Sequence, residues 1–128
     1  MVSKGSKTMK SKNFLDSFKH AFCGIWYGFK SSRNFVFDFC FFIVLIICGF
    51  IFSISILEWL AVLICSSMVL ALELMNTAVE EAVNLAMPDI HPLAKISKDV
   101  AAGSVLVAAI ISSVVGLIIF IPKFLLLF

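Results

Sequence analysis

The sequence predicts an all-α integral membrane protein with three transmembrane helices and an N-terminal amphipathic helix. Of its 128 residues, 62% are apolar and 14% are charged, and the mean hydropathy is +1.11. Soluble domains are usually about half apolar and about a quarter charged. Three apolar stretches are each long enough to cross a hydrocarbon core, which takes about twenty helical residues. The length fits a single domain.

The charge distribution predicts a cytoplasmic N-terminus. Five of the ten Lys and Arg residues lie within the first twenty positions, and basic residues collect on the cytoplasmic side of membrane proteins. A net charge of +2 is too small to suggest a nucleic-acid partner. No apolar core of signal-peptide length follows the basic segment, so we expect no cleaved leader. The cysteines have no metal-ligand spacing and are interpreted as apolar packing residues: Cys23, Cys40, Cys48 and Cys65.

The N-terminal thirty residues divide into a tail and a helix. Residues 1–11 are rich in Lys, Ser and Gly, which predicts a disordered basic tail. From about 12 to 31, apolar residues recur at helical spacing: Phe14, Phe18, Ala21, Phe22, Ile25 and Phe29. Aromatic residues on the apolar face and lysines at its border predict a helix that lies in the headgroup plane. The alternative is an ordinary helix packed on its own bundle.

The three spans follow the break at 31–34. We expect the first at about 35–57, ending in a short outer turn that carries one acid and no base. The second begins at Trp59, an interfacial anchor, and continues to about 86, since no helix breaker precedes Pro88. Residues 87–97 are predicted to be the cytoplasmic loop. The third span is expected at about 99–121, which places the C-terminus outside.

A polar stripe interrupts the second span. Glu73, Asn76, Glu80 and Asn84 are spaced three, four and four residues apart, so a helix places them on one face. Charged groups inside a membrane are costly and usually mark a site. At ~1.5 Å per residue, Glu73 lies ~21 Å from Trp59 and Glu80 lies ~32 Å from it. Glu73 can therefore meet a group carried in the lipid, and Glu80 can meet one carried in water.

These residue types suit phosphoryl transfer. Glu73 can act as a general base towards a weakly acidic hydroxyl, and Glu80 can hold Mg²⁺, which prefers oxygen ligands. Lys98 can add a positive charge for phosphate, while Asp99 can position Lys98 or a nucleotide group. No GxxxxGK[ST] or GxGxxG motif is present, so a glycine-rich phosphate loop is not expected. The alternative is that the stripe only joins helices by hydrogen bonds.

Two segments carry a resemblance to a known family. ELMNTAVE at 73–80 and HPLAKISKDVAAG at 91–103 are similar to the small integral-membrane lipid kinases, diacylglycerol kinase and undecaprenol kinase. The resemblance extends from Phe14 to Phe120 and includes SFKHAF, RNF and EWL. It implies three transmembrane helices with a surface helix, and a homotrimer with active sites between subunits. It also implies phosphorylation of a lipid hydroxyl by ATP with Mg²⁺.

The resemblance also implies roles for single residues. Glu73 corresponds to the general base and contacts the lipid substrate, as Asn13 is expected to do. Glu80 corresponds to a magnesium ligand, and Ser32 stands where the family has a second metal-binding glutamate. The residues expected around ATP are His20, Asn76, Glu80, Asp89, His91, Lys98 and Asp99. The HPLAK segment resembles the Gram-positive type, which favours undecaprenol as the acceptor.

Several positions depart from the family pattern. Besides Ser32, Asn84 replaces an acid, Asn13 an arginine, His20 a tyrosine and Cys23 a lysine. Fewer carboxylates around a hard cation weaken its binding, so this chain is expected to bind Mg²⁺ less tightly and to turn over more slowly. Either Asp38 or Glu81 is a candidate for the missing oxygen, on proximity alone.

The sequence therefore predicts a multi-pass lipid kinase of the bacterial inner (cytoplasmic) membrane that phosphorylates undecaprenol. The closest alternative is the same reaction on diacylglycerol. An alternative of another class is a kinase-like membrane protein without turnover, which Ser32 and Asn84 favour. A third is an oligomer that permeabilises membranes or conducts protons, and the KISKD segment counts against it.

Overall fold

The computed structural model describes residues 13–128 and consists of four helices with no strand in that range. The predicted basic tail therefore lies outside the described residues. The helices are α1 (Phe14–Ser31), α2 (Arg33–Ile51), α3 (Ile56–Ala86) and α4 (Pro92–Leu125). Of these, α2, α3 and α4 are long and apolar enough to cross a membrane.

The joint between α1 and α2 is a single residue. The Ser32 backbone N–H closes α1 by donating to the Gly28 carbonyl, and the Ser32 hydroxyl opens α2 by accepting the Phe35 N–H at 3.1 Å. Serine is a preferred residue at a helix start because its oxygen satisfies a free backbone N–H. The first span therefore begins slightly earlier than predicted, at Arg33.

The turn between α2 and α3 ends the first span earlier than expected, at Ile51 rather than 57. Ser53 has a φ of 51°, in the left-handed region that helices do not continue through. Ser55 then begins α3 with a capping box: its hydroxyl accepts the Glu58 N–H at 3.2 Å, and Glu58 accepts the Ser55 N–H at 2.9 Å. The single acid predicted at the outer turn is thus part of a helix start.

The predicted loop at 87–97 is too long. It spans only residues 87–91, because Pro92 occupies the first turn of α4, where a missing N–H and a fixed φ are favourable. His91 caps this helix, with Nδ1 accepting the Leu93 N–H at 3.1 Å. Residues 92–97 therefore extend α4 beyond the apolar span.

The three long helices do not close into a bundle. Within residues 13–128, α2 and α4 each pack on α3 and do not pack along each other. A largely apolar groove of about 750 Å³ lies between them, and Asp38 is the one acidic residue in the described part of the chain that lines it. At the outer end, the Phe52 ring meets Phe120 with ring centroids 6.1 Å apart. Lys123 also forms an ion pair there with Glu58 at 2.7 Å, tying α4 to α3.

Gly49 of α2 lies against the Trp59 ring of α3, and this contact leads to a stability prediction. A Cβ at this position would lie 2.5 Å from the Trp59 ring, which also packs on Phe50 with ring centroids 5.0 Å apart. A rigid ring cannot yield as a flexible side chain can, so Gly49→Ala is expected to destabilise the fold by about 1–3 kcal/mol. Denaturation in detergent, followed by Trp fluorescence, measures this.

Gly24→Ala in α1 is the matched control, because a Cβ at that position would meet no side chain and no other helix of residues 13–128 within 4 Å. It is expected to unfold at or above the wild-type midpoint, since alanine favours helix over glycine. Equal losses in the two variants would contradict close packing at Gly49.

Candidate functional site

A polar cleft of about 260 Å³ lies where the end of α1, the start of α2 and the polar end of α3 meet. All of its lining residues are polar or charged: Ser31, Ser32, Arg33, Asn34, Glu73, Asn76, Thr77, Glu80, Glu81 and Asn84. The whole polar stripe of α3 thus faces one cleft. The helical spacing placed these four side chains on one face, and α1 and α2 supply the opposite walls.

Glu73 is the most buried residue of the cleft, with 3% of its surface exposed. Among the described residues, Ser66 is the only other buried polar one. Asn34 and Asp38, one turn apart on α2, lie close enough to influence the Glu73 carboxylate electrostatically. Thr77 hydrogen-bonds the Glu73 backbone carbonyl at 3.1 Å and leaves the carboxylate available. Burying a carboxylate this deeply costs free energy, so its presence here indicates a functional role.

Asn76 and Glu80 lie about one and about two turns beyond Glu73, towards the C-terminal end of α3. Asn76 Nδ2 donates to Glu80 Oε1 at 3.0 Å, while the buried Oδ1 of Asn76 has no hydrogen-bond partner among the described residues. An unpaired oxygen beside a carboxylate suits a hard cation. No group of three or more His, Cys, Asp or Glu residues in the described range is arranged to hold a metal. A cation here would therefore need further oxygens from a phosphate or from water.

Tyr27 and Glu81 form a contact that the sequence did not reveal. The Tyr27 hydroxyl donates to Glu81 Oε2 at 2.8 Å and joins α1 to α3. This hydrogen bond and the negative charge of Glu81 raise the pKa of Tyr27 above its usual value. The contact depends on Gly28, which is buried where a Cβ would meet Leu74 at 2.5 Å. That glycine was the available signal, because it marks where α1 approaches α3 closely.

The candidates for the missing metal oxygen occupy different places. Ser32 lines the cleft, but its hydroxyl caps α2. Asp38 lines the apolar groove and not the cleft, whereas Glu81 lines the cleft together with Glu80. Asn84 is a lining residue as well.

The other predicted site residues are not among those that line this cleft. Asn13 caps α1 by accepting the Asp16 N–H at 2.9 Å, and His91 caps α4. Asp99 forms an ion pair with Lys95 along α4. His20 and Asp89 are exposed, and Lys98 is half-buried. Within one chain, the residues predicted to surround ATP thus fall into a cleft group and an outlying group.

Residues 19–120 match the sequence model that describes prokaryotic diacylglycerol kinase. The chain belongs to this family. Every lining residue of the cleft lies inside the matched segment, and Asn13 lies outside it. The matched segment therefore contains the whole cleft and all three candidate spans up to residue 120.

Two curated relatives are similar to this family member over most of its length. The undecaprenol kinase of Bacillus subtilis (strain 168) is 46% identical over 110 residues, which are 86% of this chain and 89% of the relative. The diacylglycerol kinase of Synechocystis sp. (strain ATCC 27184 / PCC 6803 / Kazusa) is 37% identical over 114 residues, which are 88% of this chain and 65% of the relative.

Proposed function

We propose that this protein is a lipid kinase that transfers the γ-phosphoryl group of ATP to the hydroxyl of a membrane lipid. The observation that carries the proposal is the buried Glu73 carboxylate, which lies within a candidate span and at the base of a polar cleft. Asp38, one of the groups acting on Glu73, lines the apolar groove. Glu73 therefore lies between a polar space suited to nucleotide and an apolar one suited to a lipid chain.

In the proposed reaction, Glu73 accepts the proton of the lipid hydroxyl as that oxygen attacks the γ-phosphorus. The bond from phosphorus to the ADP oxygen breaks, and the proton remains on Glu73 until it leaves through the cleft. Asn34 lines the same cleft and would orient this carboxylate. Base catalysis of this kind is worth about 10²–10⁴ in rate.

Glu80 and the unpaired Oδ1 of Asn76 would hold Mg²⁺. When bound, Mg²⁺ neutralises the charge that develops on the phosphate oxygens. The family glutamate is absent at Ser32, so this chain has fewer carboxylates for the task and is expected to need more Mg²⁺ than a chain that has both.

A second copy of the chain would complete the nucleotide site. Of residues 13–128, Arg33 is the only basic one that lines the cleft, yet phosphoryl transfer requires several positive or hydrogen-bonding groups. We infer that the outlying group reaches the cleft across a homotrimer interface: His20, Asp89, His91, Lys98 and Asp99. The groove between α2 and α4 supports this assembly, because it leaves apolar surface for a neighbouring helix.

The proposed orientation puts the cleft at the cytoplasmic face of the inner membrane, where ATP is available. Aromatic residues on α1 recur every fourth position and are exposed at Phe14, Phe18, Phe22 and Trp26. Such a row supports a helix that rests on the headgroups. The basic N-terminal segment would then remain inside.

Undecaprenol is the proposed acceptor, on the support of the 46% identical relative that is named an undecaprenol kinase. Diacylglycerol is the second candidate, supported by the 37% identical relative named for that activity.

Phosphate transfer from Mg-ATP to the two lipids, measured side by side in detergent micelles, tests the proposal. We expect phosphorylation of undecaprenol at least about tenfold faster than of diacylglycerol, a difference worth about 1.4 kcal/mol. The reverse preference would assign the diacylglycerol reaction. Transfer to neither lipid would support the alternative of a kinase-like protein without turnover. Dye release from intact liposomes without ATP would support the permeabilising oligomer.

A further inference from the structure

The hydrogen bond between Tyr27 and Glu81 has no role in the phosphoryl transfer proposed above. It joins the exposed helix α1 to the cleft wall of α3 across 54 positions of sequence. Its geometry is short and direct, with the hydroxyl oxygen 2.8 Å from Oε2. The Ser31 hydroxyl donates to the backbone carbonyl of Tyr27 at 2.8 Å. Within residues 13–128, Glu81 is the only charged group that acts on the Tyr27 side chain.

The cleft contains two adjacent carboxylates, Glu80 and Glu81, that form no ion pair with any cationic side chain of residues 13–128. Neither of the two ion pairs in residues 13–128 includes Glu80 or Glu81. Each carboxylate instead accepts a hydrogen bond from a neutral donor, Asn76 for Glu80 and Tyr27 for Glu81. The buried Oδ1 of Asn76, unpaired among the described residues, lies in the same cleft.

We propose that Glu81 is the second carboxylate for the magnesium of the bound nucleotide and that Tyr27 is the positioning residue that holds it. The inference rests on the proposed function for its nucleotide. It adds Glu81 to the magnesium site that Glu80 and Asn76 would form. Ser32 is occupied as a helix cap, and Asp38 faces the groove. Glu81 is therefore the candidate that shares a cleft with Glu80.

A tyrosine is chemically suited to this task. A lysine or arginine at position 27 would neutralise the carboxylate and reduce its attraction for a cation. A phenol fixes one carboxylate oxygen and leaves the negative charge in place. A phenol is protonated at neutral pH in any case, so this donor stays in place.

Metal binding is tested directly with Mn²⁺, a paramagnetic substitute for Mg²⁺, by electron paramagnetic resonance of the full-length protein at neutral pH. Glu81→Gln is expected to weaken Mn²⁺ binding about tenfold or more. Tyr27→Phe removes only the hydroxyl and is expected to weaken binding by a smaller factor, about threefold. Asp16→Asn, an acid of α1 that does not line the cleft, is the control and is expected to bind like wild type.

Turnover gives a second readout that a purely structural contact would not affect selectively. Both variants are expected to raise the Mg²⁺ concentration for half-maximal turnover, and turnover at saturating Mg²⁺ is expected to recover. A loss that saturating Mg²⁺ does not reverse would indicate a structural role and overturn the proposal. So would a wild-type chain that binds no Mn²⁺, or a Glu81→Gln chain that binds Mn²⁺ as tightly as wild type.

The contact itself can be observed, because Tyr27 is the only tyrosine of the chain. Its near-ultraviolet absorption band without metal, at neutral pH, is expected to shift in Glu81→Gln, because the phenol hydroxyl loses a charged hydrogen-bond acceptor. An unchanged band would overturn the positioning role. These metal and absorption measurements do not depend on any lipid, so a failure of lipid phosphorylation alone would count against the proposed function and not against this site.

Discussion

Glu73→Gln is expected to lower lipid phosphorylation by about 10²–10⁴-fold, the usual contribution of a general base. Glutamine keeps the size of the side chain and a hydrogen-bonding oxygen, but it cannot act as a base towards the proton of the lipid hydroxyl. Because Glu73 is almost fully buried, water cannot readily replace it. The measurement is kcat with the preferred lipid at saturating Mg-ATP, which separates chemistry from binding.

Glu58→Gln is the matched control for this prediction. It makes the same substitution on the same helix, at the opposite end from the cleft, where Glu58 pairs with Lys123. We expect turnover within about twofold of wild type, with a lower midpoint of thermal unfolding because the ion pair and the capping box are weakened. Equal losses of turnover in both variants would show that Glu73→Gln acts through folding.

Glu80→Gln is expected to raise the Mg²⁺ concentration for half-maximal turnover about 10–100-fold. The substitution removes one negative charge from a site with few carboxylates, and charge count governs the affinity of hard cations. Asn76 can still hydrogen-bond the glutamine oxygen, so local structure is expected to be preserved. Turnover measured across a series of Mg²⁺ concentrations at fixed ATP gives the shift.

Asn84→Ala is the comparison for Glu80→Gln, because Asn84 lines the same cleft without a charge. Its Mg²⁺ dependence is expected to stay close to that of wild type. If Glu80→Gln lowered turnover by the same factor at every Mg²⁺ concentration, Glu80 would have a role other than metal binding.

Most of the fold could be predicted from hydrophobicity and helix-breaking residues. The continuation of α3 to Ala86 was predicted because no breaker precedes Pro88. The start of α4 was misplaced because Pro92 was interpreted as part of a loop, although a proline in the first helical turn needs no hydrogen-bond donor. The end of α2 was misplaced because the turn depends on the left-handed conformation of Ser53, which composition does not signal.

The candidate site was predictable where it depended on one helix. Spacing along α3 predicted that Glu73, Asn76 and Glu80 share a face, and they line one cleft. Spacing could not predict the partners from other helices, Asn34 and Tyr27, because these depend on how closely the helices approach. The roles expected at Lys98 and Asp99 stay predictions, since they depend on the cleft of a neighbouring copy of the chain.

In the proposed assembly, the groove between α2 and α4 makes stability depend on protein concentration. Within residues 13–128 these two helices pack on α3 and not along each other, so a neighbouring copy that filled the groove would add to the free energy of folding. A species that binds the folded chain stabilises it in proportion to the logarithm of its concentration. The unfolding midpoint should therefore fall as the protein is diluted at constant detergent concentration. A melting temperature would then have to be stated together with the protein concentration.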